Sequence, residues 1–283
     1  MPTDEVDQHT LALADVTLFY SAVVPENTRA VLLIVHGLSE HGGRYSKLQQ
    51  ELSEADFAVW AYDQRGFGKS TGRRTYAAHY THFLNDLKEM IAVVRNAHPN
   101  LPLILIGHSF GGLVVSAFCI AFPKQVDGVV LSAPAYDFFP LPSILHFVGI
   151  VLTRFFPTMR IQYPSDPKKL SHDPEIAIAF RSDPLTQSSG TPGFYHALLE
   201  MNELVKRQAD QISLPVLILQ GTEDTIVFPK GAQALYDKVQ SDTKRLIFYD
   251  RFYHEPFNEI GREKVIADVI CWLNDLLLKL RRE

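Results

Sequence analysis

Only two cysteines occur in these 283 residues, and no basic excess is present, since 27 Lys and Arg stand against 32 Asp and Glu for a net charge of −5. Cys119 and Cys271 lie far apart, each among apolar neighbours. Two buried free thiols are therefore expected rather than a disulfide, which suits a reducing compartment. With no basic stripe or arginine-rich tail, nucleic-acid binding has no electrostatic footprint. The opening residues, Met1 to Glu5, carry neither a basic segment nor an apolar core, so no secretory signal is read there. A convincing membrane span is lacking too, because Pro140, Pro142, His146 and Arg154 interrupt the apolar stretch 138–156. The expectation is a cytoplasmic protein that touches membranes at most peripherally. His79 and His82 stand three apart without a third ligand and read as a polar helix start, so no metal is expected.

What is present concentrates at 103–115, LILIGHSFGGLVV, where an apolar strand pattern turns through G-x-S-x-G and resumes as an apolar helix. Such a turn needs small neighbours so that the backbone can fold tightly, and Gly107, Gly111 and Gly112 supply them. Ser109 is thereby a candidate nucleophile, with the helix N-terminus aiming amides and dipole at a forming oxyanion.

In hydrolases built this way the chain order is nucleophile, acid, histidine. Of eleven histidines only His254 lies beyond the apolar strand 214–220 and the turn GTED at 221–224. Asp224 is the preferred acid. Glu223, beside it, and Asp137, after the strand 129–131, stay open as alternatives. The chemistry implied is acyl transfer: His254 removes the Ser109 proton, the acid orients the imidazole, and the serine oxygen attacks an ester carbonyl. A second oxyanion amide is expected from the loop after strand 30–35, which makes the Leu38 and Phe110 N–H groups the candidate oxyanion hole. His36 and His108 each adjoin a glycine in a tight turn and read as buried histidines satisfied by backbone groups.

Length and a 46% hydrophobic content suit one α/β unit whose central sheet is covered on both faces. Edge strands are expected at 10–13 and 16–23, and helices at 45–55, 80–97, 109–122, 230–239 and 259–279. Strand–helix alternation breaks at 136–207, too long for a loop. That segment reads as a cap inserted between core parts 1–135 and 208–283. Its apolar stretch 138–156 either forms the cap's own core or lines an acyl-chain tunnel and faces lipid aggregates; Ile144, Phe147 and Ile150 are its candidate substrate contacts.

Further runs narrow the reading: HGLSEHGGRY at 36–45, YDQRGFGKS at 62–70, LSHDP at 170–174 and SDPL at 182–185. With GHSFGG at 107–112, they make the chain resemble the monoacylglycerol lipase and lysophospholipase group of serine hydrolases. The resemblance spans most of the chain. It implies an α/β-hydrolase fold with a mostly parallel sheet, helices on both faces and a cap. It also implies a cofactor-free serine carboxylester hydrolase for single-chain lipid esters, monoacylglycerols first. Lysophospholipids or short- and medium-chain carboxylesters are the alternatives. Within the fold a thioesterase or a proline-directed aminopeptidase shares the triad, and a non-catalytic receptor for a hydrophobic ligand is the reading from another class. In such relatives the glutamate and arginine of the first run help to form the polar end near the glycerol head group. They map onto Glu40 and Arg44, for which a loop-ordering salt bridge is the other reading. Animal monoacylglycerol lipases carry a tyrosine before SDPL. Phe180 stands there instead, without the hydroxyl.

Overall fold

A computed structural model describes residues 7–138, 143–163 and 165–281, with side chains except at 143–147. The chain opens with the hairpin β1 (Asp7–Ala12) and β2 (Thr17–Val23), and then alternates strand and helix. In order these are β3 (Ala30–Val35), α1 (Ser46–Ser53), β4 (Phe57–Tyr62), α2 (Thr81–Ala97), β5 (Leu103–His108), α3 (Phe110–Ala121) and β6 (Gly128–Ser132). Between β6 and the next sheet strand come α4 (Ser143–Phe155), β7 (Ile161–Gln162), α5 (Pro174–Ser182), β8 (Ser189–Gly190) and α6 (Pro192–Gln208). The chain closes with β9 (Val216–Gly221), α7 (Pro229–Lys238), β10 (Lys244–Tyr249) and α8 (Arg262–Leu280).

Eight strands form one sheet in the order β1-β2-β4-β3-β5-β6-β9-β10. The pairs from β4 to β10 are parallel, and the hairpin adds antiparallel strands at one edge. Parallel strands covered on both faces need apolar side chains in both directions, which is why β3, β5, β6 and β9 are buried at every position. Val31, Leu33 and Val35 pack on one face beneath α2, α3 and α6, while Ala30, Leu32 and Ile34 meet α1 and α8 on the other.

The order places β4 on one side of β3 and β5 on the other, so successive connections diverge there. A crevice opens at the carboxyl ends of strands where the winding reverses. The loop after β3 and the turn after β5 both end in that crevice.

Helix limits agree with the periodicity to within a few residues, whereas β1 starts at Asp7 and stops before Leu13. The expectation of two buried thiols holds for one of them. Cys119 is buried on α3, where burial pushes its thiol up to about 12, but Cys271 is exposed. Helix α8 turns Val265, Val269, Trp272 and Leu273 into the core, and position 271 falls on its outer side. At the start of α2, His79 Nδ1 pairs with the Thr81 hydroxyl at 2.8 Å, and His82 Nδ1 faces Arg65 at 3.3 Å.

Candidate active site

Ser109 sits between β5 and α3 with φ 51° and ψ −115°, a region that non-glycine residues avoid. The surroundings over-determine that conformation. Ser109 N–H donates to the Ser132 carbonyl at 2.9 Å, and the Ser109 carbonyl accepts from Ala135 N–H at 3.0 Å and from Leu113 N–H at 3.1 Å. A Cβ on Gly111 would lie 2.0 Å from the Val35 carbonyl oxygen, and one on Gly107 would lie 2.7 Å from that of Gly111. The approach of α3 to the end of β3 therefore demands Gly111, and the fold of α3 back over the end of β5 demands Gly107.

His254 Nε2 lies 2.9 Å from Ser109 Oγ, and its Nδ1 lies 2.8 Å from Asp224 Oδ2. Because the carboxylate accepts, Nδ1 carries the proton and Nε2 is left to accept from the serine hydroxyl. Asp224 Oδ1 accepts from the backbone N–H groups of Ile226 and Val227 at 2.8 and 3.0 Å, and Oδ2 also accepts from the Gln220 amide at 3.0 Å. Burial opposes ionisation of Asp224, but the His254 ring and these donors outweigh it and hold the carboxyl below its ordinary range. Burial likewise opposes charge on His254. The Asp224 carboxylate overcomes it, with Glu255 and Glu40 adding to the effect, so the ring titrates above its ordinary value.

The other carboxylates considered lie elsewhere. Glu223 is exposed, and Asp137 pairs with Lys230 at 3.2 Å. His36 is satisfied by backbone alone: Nδ1 donates to the Gly37 carbonyl at 2.7 Å, and Nε2 accepts from Gln64 N–H at 3.0 Å. His108 departs from expectation, since Nδ1 meets the Ser132 hydroxyl at 3.3 Å rather than a backbone group. Burial first, then the neighbouring His254, lowers its value to about 4, which keeps this ring neutral.

The loop after β3 brings Leu38 beside the serine. Leu38 and Phe110 both line the cavity, and among the described residues neither N–H donates a hydrogen bond. Glu40 holds this loop. Its Oε1 accepts from Gly37 N–H at 2.5 Å and from the Tyr45 hydroxyl at 2.7 Å, while Oε2 accepts from Arg44 at 2.5 Å. Although burial opposes ionisation, Arg44 and the nearby histidines bring the Glu40 carboxyl down to about 2. Arg44 also reaches Glu255, the residue after His254, and its guanidinium lies 5.1 Å from the Phe180 ring centroid.

Glu255 escapes a reading of the sequence, because no spacing links it to Arg44, 211 residues away. The runs at 170–174 and 182–185 likewise show their use only in three dimensions. Leu170 accepts from Glu255 N–H at 2.8 Å, and Glu259 accepts from the Ser171 hydroxyl at 3.1 Å and from His172 N–H at 2.8 Å. Asp183 pairs with His41 at 2.8 Å, Gln187 N–H donates to the Ser39 carbonyl at 3.0 Å, and the Tyr163 and Ser39 hydroxyls bond directly. The segment between β6 and β9 thus grips both the loop bearing Leu38 and the loop bearing His254.

A cavity of about 650 Å³ opens over Ser109 and His254. Glu40, Arg44, Glu255 and Phe180 line it together with the apolar Phe138, Leu170, Leu198, Ile226 and Val227. Ile150 is 47% exposed on α4 and does not line it, and the side chains of Ile144 and Phe147 lie outside the described residues.

A family profile described as serine aminopeptidase, S33, matches residues 26–261. The chain is 32% identical over 270 residues to a monoacylglycerol lipase of Mycolicibacterium smegmatis, covering 94% of this chain and 96% of that protein. The crystal structure of Paleococcus ferrophilus monoacylglycerol lipase superposes with a TM-score of 0.84 at 30% identity, over 92% of this chain and 99% of the other. A soluble variant of the Saccharomyces cerevisiae monoglyceride lipase, solved with a substrate analog, shares the fold at a TM-score of 0.85 and 24% identity, over 96% of each chain.

Proposed function

The chain belongs to the serine aminopeptidase S33 family, with the α/β-hydrolase fold of monoacylglycerol lipase-like proteins, and from that premise we propose that it cleaves monoacylglycerols through an acyl-enzyme on Ser109. At the coarser level it is a carboxylic ester hydrolase of the lipase and esterase type. The observation that carries the finer reading is the continuous hydrogen-bond path Asp224–His254–Ser109 at the mouth of a largely apolar cavity.

In the proposed mechanism Ser109 Oγ attacks the ester carbonyl while His254 Nε2 takes its proton. Asp224 keeps the proton on Nδ1 and stabilises the imidazolium. The new oxyanion accepts from the Leu38 and Phe110 N–H groups. Collapse breaks the bond to the alcohol oxygen, which leaves with the proton from Nε2. Water then attacks the acyl-enzyme by the same steps and releases the fatty acid.

The segment 136–207 is read as the cap, and the apolar lining takes the acyl chain. Each methylene removed from water contributes about 0.8 kcal/mol. Peptide substrates fit poorly: an aminopeptidase needs an unpaired carboxylate for the α-ammonium group, yet the buried lining acids Glu40 and Glu255 are both paired with Arg44. On the outer side, Val148, Ile150, Val151, Phe155 and Phe156 are 40–70% exposed along the end of α4. No helix among the described residues is long and apolar enough to cross a membrane. The exposed apolar patch itself is read as a peripheral contact with lipid surfaces.

A panel of glyceryl, glycerophospho and simple alkyl esters of graded chain length tests the substrate. Turnover is expected to rise with acyl length and to favour glyceryl over glycerophospho esters. A preference for acetate over decanoate would move the assignment to a short-chain carboxylesterase.

A further inference from the structure

Glu255 follows His254, and its carboxylate grips Arg44 in bidentate fashion, with Nη1 donating to Oε1 at 2.8 Å and Nη2 to Oε2 at 2.9 Å. The same Nη1 donates to Glu40 Oε2, and Glu40 Oε1 holds the Gly37 N–H one residue before Leu38. One chain of charge-assisted bonds therefore runs from the loop that carries the Leu38 amide to the loop that carries His254. Side-chain exposure is 3% for Glu40, 10% for Arg44 and 5% for Glu255, so water does not loosen it. Asn258 Nδ2 donates to Glu255 Oε2 at 2.8 Å, and Leu170 holds the Glu255 N–H.

These partners leave Glu40 little capacity for a substrate hydroxyl. Both of its oxygens already accept within the protein, Oε1 from two donors. A fork-to-fork pair fixes distance and angle together, which a single point contact does not.

We propose that Arg44 and Glu255 are positioning residues, whose bidentate pair sets the separation of the Leu38 and His254 loops so that the general base and the oxyanion amides address the same carbonyl. The proposal rests on the serine-hydrolase reading above. Neither side chain touches the reacting atoms. Misplacement of a catalytic group by about 1 Å can cost about 100-fold in rate, so the pair governs turnover rather than affinity.

The test uses Glu255→Ala, Glu255→Gln and Arg44→Met in the full chain, with a p-nitrophenyl ester and the matched glyceryl ester. Turnover is expressed per serine that a fluorophosphonate titrates, so that unfolded protein does not count. Glu255→Ala and Arg44→Met are expected to lose about 10- to 100-fold in kcat. KM should stay within about threefold on both esters, because a pair that sets the loop separation changes the reacting geometry rather than the binding of the ester. Glu255→Gln, which retains the shape and some of the hydrogen bonds, should recover part of the loss. The double variant should be little worse than either single one, since the two side chains act as one unit.

A kcat per titrated serine within twofold of the parent in Glu255→Ala overturns the proposal. So does a loss confined to the glyceryl ester, which would make Arg44 a head-group contact. Should Glu255→Ala not fold, Arg44→Met decides by the same criteria. Ser109→Ala, run alongside, separates the two ideas. If it is inactive while Glu255→Ala turns over normally, only the positioning role fails; if it retains turnover, the serine-hydrolase reading fails.

Discussion

The crevice at the carboxyl ends of β3 and β5 and the helical segment between β6 and β9 use their side chains in opposite ways. In the crevice, Asp224, His254, Glu40, Arg44 and Glu255 are charged or titratable, nearly inaccessible and individually bonded. On α4, large apolar side chains stand outside, Phe155 at 70% exposure and Ile150 at 47%. Directional chemistry needs groups held to tenths of an ångström, and strand ends with tight turns provide that. Apolar contact is non-directional, so a helix on the outside suffices for it.

The sharpest way to break this contrast is at the crevice itself. Ser109→Ala should lower kcat by about four or more powers of ten while leaving circular dichroism and thermal unfolding close to the parent. His254→Ala should do nearly the same, and the losses should not add. Near-normal ester hydrolysis by a verified Ser109→Ala protein would refute the nucleophile. Asp224→Asn should cost less than Ser109→Ala but far more than Asp137→Asn, because Asp137 pairs with the exposed Lys230 whereas Asp224 bonds His254.

A smaller effect is expected in the pH dependence. In the proposed mechanism His254 must be neutral to accept the serine proton, and the Asp224 carboxylate raises its pKa. Activity should therefore be present above that raised value and fall as pH drops through it. Removing the carboxylate in Asp224→Asn leaves burial opposed only by the lesser influence of Glu255 and Glu40, so the acid limb of kcat/KM should move to lower pH. An unmoved limb would show that another group sets the profile.

The smallest effect on chemistry belongs to α4. Ile150→Asp or Phe155→Ser should weaken sedimentation with liposomes and leave hydrolysis of a dispersed monomeric ester within about twofold, since neither residue lines the cavity. Loss of monomeric turnover instead would mean that the outer face of α4 communicates with the crevice.

Legibility in the sequence follows the same division. The pattern at 103–115 maps onto β5 and α3, because strand period, turn glycines and helix period are properties of neighbours in the chain. Helix α8 was legible as an amphipathic stretch, yet the exposure of Cys271 was not, since one apolar neighbour more or less does not say which side faces the sheet. The direction of Ile150 was hidden for the same reason. On α4 apolar residues recur on more than one side, and periodicity alone does not choose the face.

By itself the sequence determined the local elements, their alternation as a parallel sheet, and the chain order of one serine, a small set of acids and one downstream histidine. The tertiary structure alone decided which of those groups meet. Ser109 and His254, 145 residues apart, come within hydrogen-bond distance because the β3–β5 reversal and the β9–β10 pairing bring the ends of β3, β5, β9 and β10 to one crevice. The Arg44–Glu255 pair depends wholly on that convergence. Backbone conformation is set by sterics and hydrogen bonds over a few residues, whereas contacts between distant side chains exist only once the sheet order has closed the intervening loops.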